Sequence, residues 1–166
     1  NFGPSSEFAV KSREQLAVVR YRKPNCDRAA LERSLQTLEG IHAWKISVNL
    51  IDEAVETAAT LAELHRTMGN LVKAAAYYRK AKAGYTRKYG EASADAIQSR
   101  YFLIDTLLAL GSHDESLAEG AAEEAFAEYE GLFPLALRVF GPEHVIVNRL
   151  RRLVEFFESV RSARQC

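Results

Sequence analysis

Residues 69–90 read GNLVKAAAYYRKAKAGYTRKYG, a stretch rich in alanine and tyrosine that lies between two glycines. Its small and large apolar side chains recur at helical spacing. Gly111 follows Gly69 by 42 residues, and each glycine separates one apolar helical pattern from the next. Because glycine adopts positive φ without a Cβ clash, both positions are predicted to end a helix. The pattern indicates helices joined by short turns.

A second marker, an aromatic residue followed by glycine, occurs three times along the chain. The copies begin at Phe2, Tyr89 and Phe140, and each precedes a helical apolar pattern. A repeated marker of this kind is typical of repeat architectures. The markers and the apolar spacing predict an all-α fold of seven helices, at roughly 5–21, 26–40, 46–68, 70–89, 92–110, 113–139 and 143–162.

The region 113–140 is an insertion relative to the 42-residue period, and it contains Gly120, Gly131 and Pro134. A proline inside a helix removes one hydrogen bond and clashes with the preceding turn. We therefore expect a kink or a break near Phe133. The insertion is either a length variation of an outer helix or a protrusion that serves a particular partner.

The composition of the 166 residues limits the classes of function. Hydrophobic residues make up 48%, enough for a packed core, and 22 Lys and Arg balance 22 Asp and Glu. No overall field therefore attracts nucleic acid or an acidic membrane, although 114–130 is locally acidic and 11–33 and 149–164 are predominantly basic. No membrane-spanning run or signal pattern occurs, which favours a soluble, cytoplasmic protein.

Residue types that carry chemistry are scattered. The histidines show no paired spacing and no neighbouring cysteine, and no glycine-rich phosphate loop occurs, so we predict no metal site, no cofactor and no enzyme activity. Ser5 and Ser6 precede an apolar run and are interpreted as a helix cap. His144 is expected to cap or pack at a helix start, and His65 to belong to a helix face. The histidines are His42, His65, His113 and His144, and the cysteines are Cys26 and Cys166.

These motifs resemble tetratricopeptide repeats, in particular the 42-residue repeats of kinesin light chains. Ala76 and Ala81 stand where that family brings neighbouring helices close together. The Leu-Ala pairs at 16–17 and 61–62 are similar to the pair in the first helix of its repeats, and Gly-Pro-Glu-His at 141–144 looks like its entry to that helix. The resemblance covers nearly the whole chain.

The resemblance implies a right-handed α-solenoid of antiparallel helix pairs. It implies one repeat domain over 1–166, with units of about 3–44, 45–90 and 91–140 and a terminal helix at 143–163. The start at Asn1 and the single internal methionine, Met68, suggest a fragment of a larger protein.

In this family the first helices of the pairs line a concave groove that holds a peptide or helix of another protein. The resemblance thus implies a scaffold or adaptor module, without nucleic acid or membrane as partner. The paired asparagines with which kinesin light chains grip a peptide are absent, so that grip is not implied. Register from the Leu-Ala positions gives the candidate partner-binding residues, which are Lys11, Glu14, Glu63, Arg66, Asn70, Lys73, Gln98, Tyr101, Asp105, Asn148 and Arg151.

The last predicted helix carries a broader apolar surface than one covered side requires, and we expect something to cover it. A missing repeat, a second copy in a homo-oligomer and a partner helix are the alternatives. The candidate interface residues are Leu153, Phe156, Phe157 and Val160. A different class of function, a regulatory or sensing domain attached to an enzyme, motor or transcription factor, also fits a helical repeat.

Overall fold

The computed structural model describes residues 6–163, and their side chains as far as residue 158. This part of the chain forms seven α-helices and no strand, which confirms the all-α prediction. Each predicted helix has an observed counterpart whose ends differ from the expected ones by seven residues or fewer. The helices are α1 (Glu7–Tyr21), α2 (Arg28–Ser47), α3 (Ile51–Thr67), α4 (Leu71–Tyr89), α5 (Ala94–His113), α6 (Glu115–Phe140) and α7 (Val145–Ala163).

Several helices begin at a side chain that accepts a hydrogen bond from a backbone N–H of the first turn. Ser6 caps α1 in this way, as its position before an apolar run predicted. Asp27, Ser93 and Asp114 do the same for α2, α5 and α6. Ser5 and the first aromatic-glycine marker at Phe2 lie outside the described residues.

The ends of α2 and α3 share one backbone motif. Gly69 follows α3 with a φ of 78°, as predicted, and Asn49 follows α2 with a φ of 63°. In each case the N–H groups of this residue and the next bond to carbonyls of the last helical turn. This is the Schellman arrangement, which tolerates asparagine as well as glycine because both residues reach the left-handed region.

The prediction that Gly111 ends a helix is wrong. α5 continues to His113, and Gly111 does not have a positive φ. A Cβ placed on Gly111 would lie 3.2 Å from Ala118 Cα in α6, closer than ordinary van der Waals contact. Glycine at this position therefore permits the close approach of two helices.

Of the kink or break expected near Phe133, the break does not occur. α6 runs without interruption from Glu115 to Phe140, with Pro134 inside it. Pro134 and Glu130 are both exposed, so the Glu130 carbonyl that loses its helical partner can bond to water instead. An exposed face is where a helix can best retain a proline.

Contacts between residues divide the chain into two compact units, residues 1–81 (unit 1) and 82–166 (unit 2). In unit 1, α1 packs on α2 and α2 on α3, around a core to which Leu38, Leu61 and Leu64 contribute. In unit 2, α5 packs on α6 and α6 on α7. The division between the units falls within α4.

Candidate functional site

A buried ion pair joins the first three helices of unit 1. Lys45 Nζ donates to Glu14 Oε2 at 2.7 Å, to Thr57 Oγ1 at 2.8 Å and to the Glu53 carbonyl at 3.2 Å. Thr57 donates to the other oxygen of the Glu14 carboxylate. All three protons of the ammonium group therefore have acceptors, which a buried lysine requires.

A second polar cluster ties the end of α1 to α3. The Tyr21 hydroxyl donates to Glu63 Oε2 at 2.7 Å, and Arg22 Nη2 donates to the same oxygen at 2.9 Å. Burial and the neighbouring Glu63 carboxylate raise the pKa of Tyr21, so the hydroxyl keeps its proton and remains a donor. Together with the Lys45 ion pair, this cluster fixes α1 at its middle and at its C-terminal end.

A half-open groove runs between α1 and α2, with a volume of about 460 Å³. Its apolar wall comes from half-buried Trp44 and from Val10 and Ile41. Gly40 leaves space in the groove, because a Cβ at this position would meet no atom within 4 Å. The remaining lining residues are Arg13, Gln36 and Thr37.

The α1/α2 groove combines an aromatic wall with a few polar groups at its rim. Tryptophan and neighbouring aliphatic side chains offer apolar contact area, while the Arg13 guanidinium adds a positive charge. Pockets of this composition accept an apolar side chain and orient it through polar contacts at the edge. Register from the Leu-Ala pairs did not predict this site. The signal that could have indicated the groove is the chain's single tryptophan. It follows Gly40 by four residues, which places both residues on one helix face.

The predicted partner-binding residues of unit 1 differ in exposure. Lys11, Asn70 and Lys73 are exposed, and Arg66 is half-buried. Glu14 instead turns inward to Lys45. Glu63 is half-exposed but is held by Tyr21 and Arg22. An ionic partner would therefore compete with internal bonds at Glu14 and Glu63.

In unit 2, Gln98 is exposed and Asp105 is half-buried. Tyr101, expected to present its ring to a partner, is only 6% exposed and packs against Phe102. The Arg149 guanidinium lies 5.9 Å from the Tyr101 ring centroid, which adds a cation–π contact. In this conformation the ring contributes to packing and offers a partner little exposed surface.

The start of α7 brings two predicted residues together. Arg151 Nη1 donates to Asn148 Oδ1 at 2.8 Å, and Asn148 Nδ2 donates to the Glu143 carbonyl. His144 Nδ1 accepts from the Ile146 N–H at 3.2 Å, which confirms that His144 caps this helix start. These bonds fix the turn before α7.

The apolar surface of α7, for which we expect an external cover, is partly packed within unit 2. Phe157 is 1% exposed, and its ring centroid lies 4.8 Å from that of Tyr129 and 5.4 Å from that of Phe126. Side chains of α6 thus cover Phe157. Phe156 remains 45% exposed and Leu153 is half-buried. The side chain of Val160 lies outside the described residues.

An ion-pair network also fixes the middle of unit 2. Arg100 Nε donates to Glu128 Oε2 at 2.9 Å, and Lys82 pairs with the other oxygen of that carboxylate. Gly131 makes room for the arginine, because a Cβ there would lie 2.9 Å from Arg100 Nη2. One acidic residue of the 114–130 region is therefore structural.

His65 lies on α3 as expected, but it is fully buried. Its ring stacks on Tyr77 at 5.5 Å, and His42 meets the same tyrosine edge-on at 5.6 Å. Neither ring nitrogen of His65 has a hydrogen-bond partner, and Nε2 lies 3.6 Å from Glu39 Oε1, too far for a hydrogen bond. Burial is the largest cause of the lowered pKa of both His42 and His65.

Within the described residues, no three His, Cys, Asp or Glu side chains are placed to hold a metal ion. The same part of the chain contains no helix with the length and hydropathy that crossing a membrane requires. Cys26 is a free thiol whose sulfur contacts the Asp27 carbonyl, and Cys166 lies outside the described residues.

No protein-family model matches this sequence, and no curated protein matches it.

Proposed function

We propose that this chain is a non-catalytic protein-binding module that holds a segment of a partner protein against unit 1, with the α1/α2 groove as an anchoring pocket. The observation that carries the proposal is the groove itself, about 460 Å³ in volume and walled by Trp44, Ile41 and Val10. A pocket of this volume and composition fits a leucine, methionine or aromatic side chain of a protein segment.

The two polar clusters of unit 1 support this proposal. Lys45 fixes α1 against α2 and α3, and Glu63 fixes the end of α1 against α3. A groove between helices that are held in this way needs little rearrangement to receive a ligand. Preorganisation of this kind favours affinity because less conformational freedom is lost on binding.

The proposal keeps the scaffold or adaptor role and the tetratricopeptide-like solenoid that the sequence suggested, but it moves the anchoring contact. The expected groove was lined by the first helices of the pairs, through residues such as Glu14 and Tyr101. The Glu14 carboxylate is paired with Lys45, and the Tyr101 side chain is buried. The α1/α2 groove instead has Gly40 at an open position.

The test is a selection of binding peptides from a random display library on the immobilised intact chain. Gly40→Leu should abolish binding of the enriched peptides, because the new side chain enters the groove without meeting an atom near its Cβ. Gly120→Leu is the matched control, since Gly120 is also helical and open. Failure to enrich peptides, or equal binding to the two variants, would contradict the proposal.

A further inference from the structure

The outward face of α1 carries three large apolar side chains that are more than half exposed. Phe8 is 69% exposed, and Leu16 and Val19 are each 57% exposed. With Ser12, they follow one another at spacings of four, four and three residues, which places them along one side of the helix. The stripe from Phe8 to Val19 is roughly 17 Å long at 1.5 Å per residue.

Cationic side chains line both edges of this stripe. Helical geometry places Lys11 on one edge and Arg13 and Arg20 on the other, while Arg22, which follows α1, is paired with Glu63. Arg13 also lines the α1/α2 groove, so that edge leads from the stripe into the groove. The stripe, the edges and the groove form one surface of unit 1.

The helix α1 itself adds few acidic side chains to this surface. α1 contains only two, Glu7 and Glu14. Glu14 turns away from the stripe to the buried ammonium group of Lys45. Glu7 stands in the first turn, where a negative charge stabilises the helix start. The face of α1 between its ends is therefore apolar in the middle and positive at both edges.

We infer that this surface docks an acidic amphipathic helix of a partner protein, whose apolar side covers Phe8, Leu16 and Val19 and whose carboxylates lie along the two cationic edges. The inference rests on the proposed function and gives the chemical class of the partner. A helix fits because a straight apolar stripe about 17 Å long matches residues at i, i+4 and i+7 of a second helix. One apolar side chain of that helix enters the α1/α2 groove.

A protein helix fits this surface better than an anionic membrane does. A bilayer surface is matched by a broad apolar face, whereas this stripe holds three large apolar side chains. The groove beside Arg13 is a concave pocket with Trp44 in its wall. Such a pocket suits one discrete side chain.

The experiment uses two fluorescent peptides of about 18 residues, long enough to form a helix on binding. Both carry the same apolar side, but one has glutamates along its edges and the other has lysines. We expect fluorescence anisotropy to show at least about tenfold tighter binding of the glutamate peptide at low salt, and a smaller preference as salt screens the charges.

Charge reversal on α1 should invert this preference. The double variant Lys11→Glu/Arg20→Glu should bind the lysine peptide more tightly than the glutamate peptide. The double variant Arg138→Glu/Arg152→Glu is the control, because it alters net charge equally at exposed positions of unit 2 and should leave the preference unchanged. Circular dichroism checks that both variants retain the helical content of the parent.

The possible failures are distinguishable. If both peptides bind equally and Gly40→Leu weakens both, the charge inference is overturned while the proposed groove function stands. If Gly40→Leu leaves peptide binding unchanged, the groove function itself is contradicted. The inference is also overturned if the chain binds phosphatidylserine-containing vesicles through Lys11 and Arg20 but not the glutamate peptide, or if light scattering shows that a second copy covers the stripe.

Discussion

Lys45 and Glu14 form an ion pair of 2.7 Å in which the lysine is buried and the carboxylate is largely buried. The two residues are 31 positions apart in the sequence, and their bond joins α2 to α1 beside the α1/α2 groove. A buried charge that loses its partner is much more costly than a buried pair that is replaced as a whole.

We therefore expect Glu14→Gln to lower the free energy of unfolding by about 3 kcal/mol, because it leaves the Lys45 ammonium group without a counter-charge. The double variant Glu14→Leu/Lys45→Met should lie within about 1 kcal/mol of the parent. Urea denaturation measures both. Arg28→Met, which removes an exposed ion pair with Glu32, is the control and should cost no more than about 0.5 kcal/mol. If Glu14→Gln and Arg28→Met both had small effects of equal size, the assignment of Lys45 and Glu14 as a buried ion pair would be contradicted.

The histidines around Tyr77 predict a pH dependence of stability. Burial lowers the pKa of His65, and burial with the nearby Lys80 and Lys45 charges lowers that of His42. The Glu39 carboxylate raises the pKa of His65, but burial has the larger effect and lowers it. The native state thus keeps both rings neutral at pH values where the unfolded chain already binds protons.

Since the unfolded chain binds more protons just below pH 6.5, the free energy of unfolding should fall as the pH is lowered through 6.5, and it should be fully retained above that value. Urea titrations at several pH values between about 5 and 8 measure this slope, before most carboxylates titrate. His42→Gln/His65→Gln should flatten it. An unchanged slope in that variant would assign the effect to other groups.

The helices could be predicted from sequence because their signals are local. Ser6 caps α1 and Gly69 ends α3, and both act on backbone groups within a few residues. Gly111 shows the limit of this reasoning. A glycine that ends a helix and a glycine that admits another helix look alike in sequence, and only the approach of Ala118 distinguishes them.

The candidate site was harder to predict because burial depends on distant partners. Helical register placed Glu14 and Tyr101 on a partner-facing side. The structure turns Glu14 toward Lys45 and packs Tyr101 into unit 2. The groove at Gly40 depends on how α1 and α2 pack, which apolar periodicity within one helix does not specify.

The close approach at Gly111 predicts opposite effects for two glycine-to-alanine changes. Gly111→Ala should lower the free energy of unfolding by about 1 kcal/mol, because overpacking against the Ala118 backbone exceeds the gain in helix propensity. Gly120→Ala should raise it by about 0.5–1 kcal/mol, since its Cβ meets no atom within 4 Å. Thermal and urea unfolding measure both. A stabilised Gly111→Ala variant would mean that α5 and α6 are farther apart.

Pro134 offers a second stabilising change. It lies inside α6 on an exposed face, where its ring costs one helical hydrogen bond. Pro134→Ala should restore the bond to the Glu130 carbonyl and raise the free energy of unfolding by about 1–3 kcal/mol. Urea unfolding measures the gain, and hydrogen exchange at residue 134 reports the new N–H. A loss of stability would indicate that Pro134 makes a contact that alanine cannot replace.

Two adjacent phenylalanines of α7 differ in burial, so substituting each one distinguishes internal packing from an external contact. Phe157 is buried against Phe126 and Tyr129, so Phe157→Ala should lower the free energy of unfolding by about 3–5 kcal/mol. Phe156→Ala, at a 45% exposed position, should cost much less, about 1 kcal/mol. Light scattering over a range of concentrations completes the comparison. If Phe156→Ala leaves the molar mass of the parent unchanged, Phe156 does not join copies of the chain; a fall in mass would identify α7 as a contact between copies.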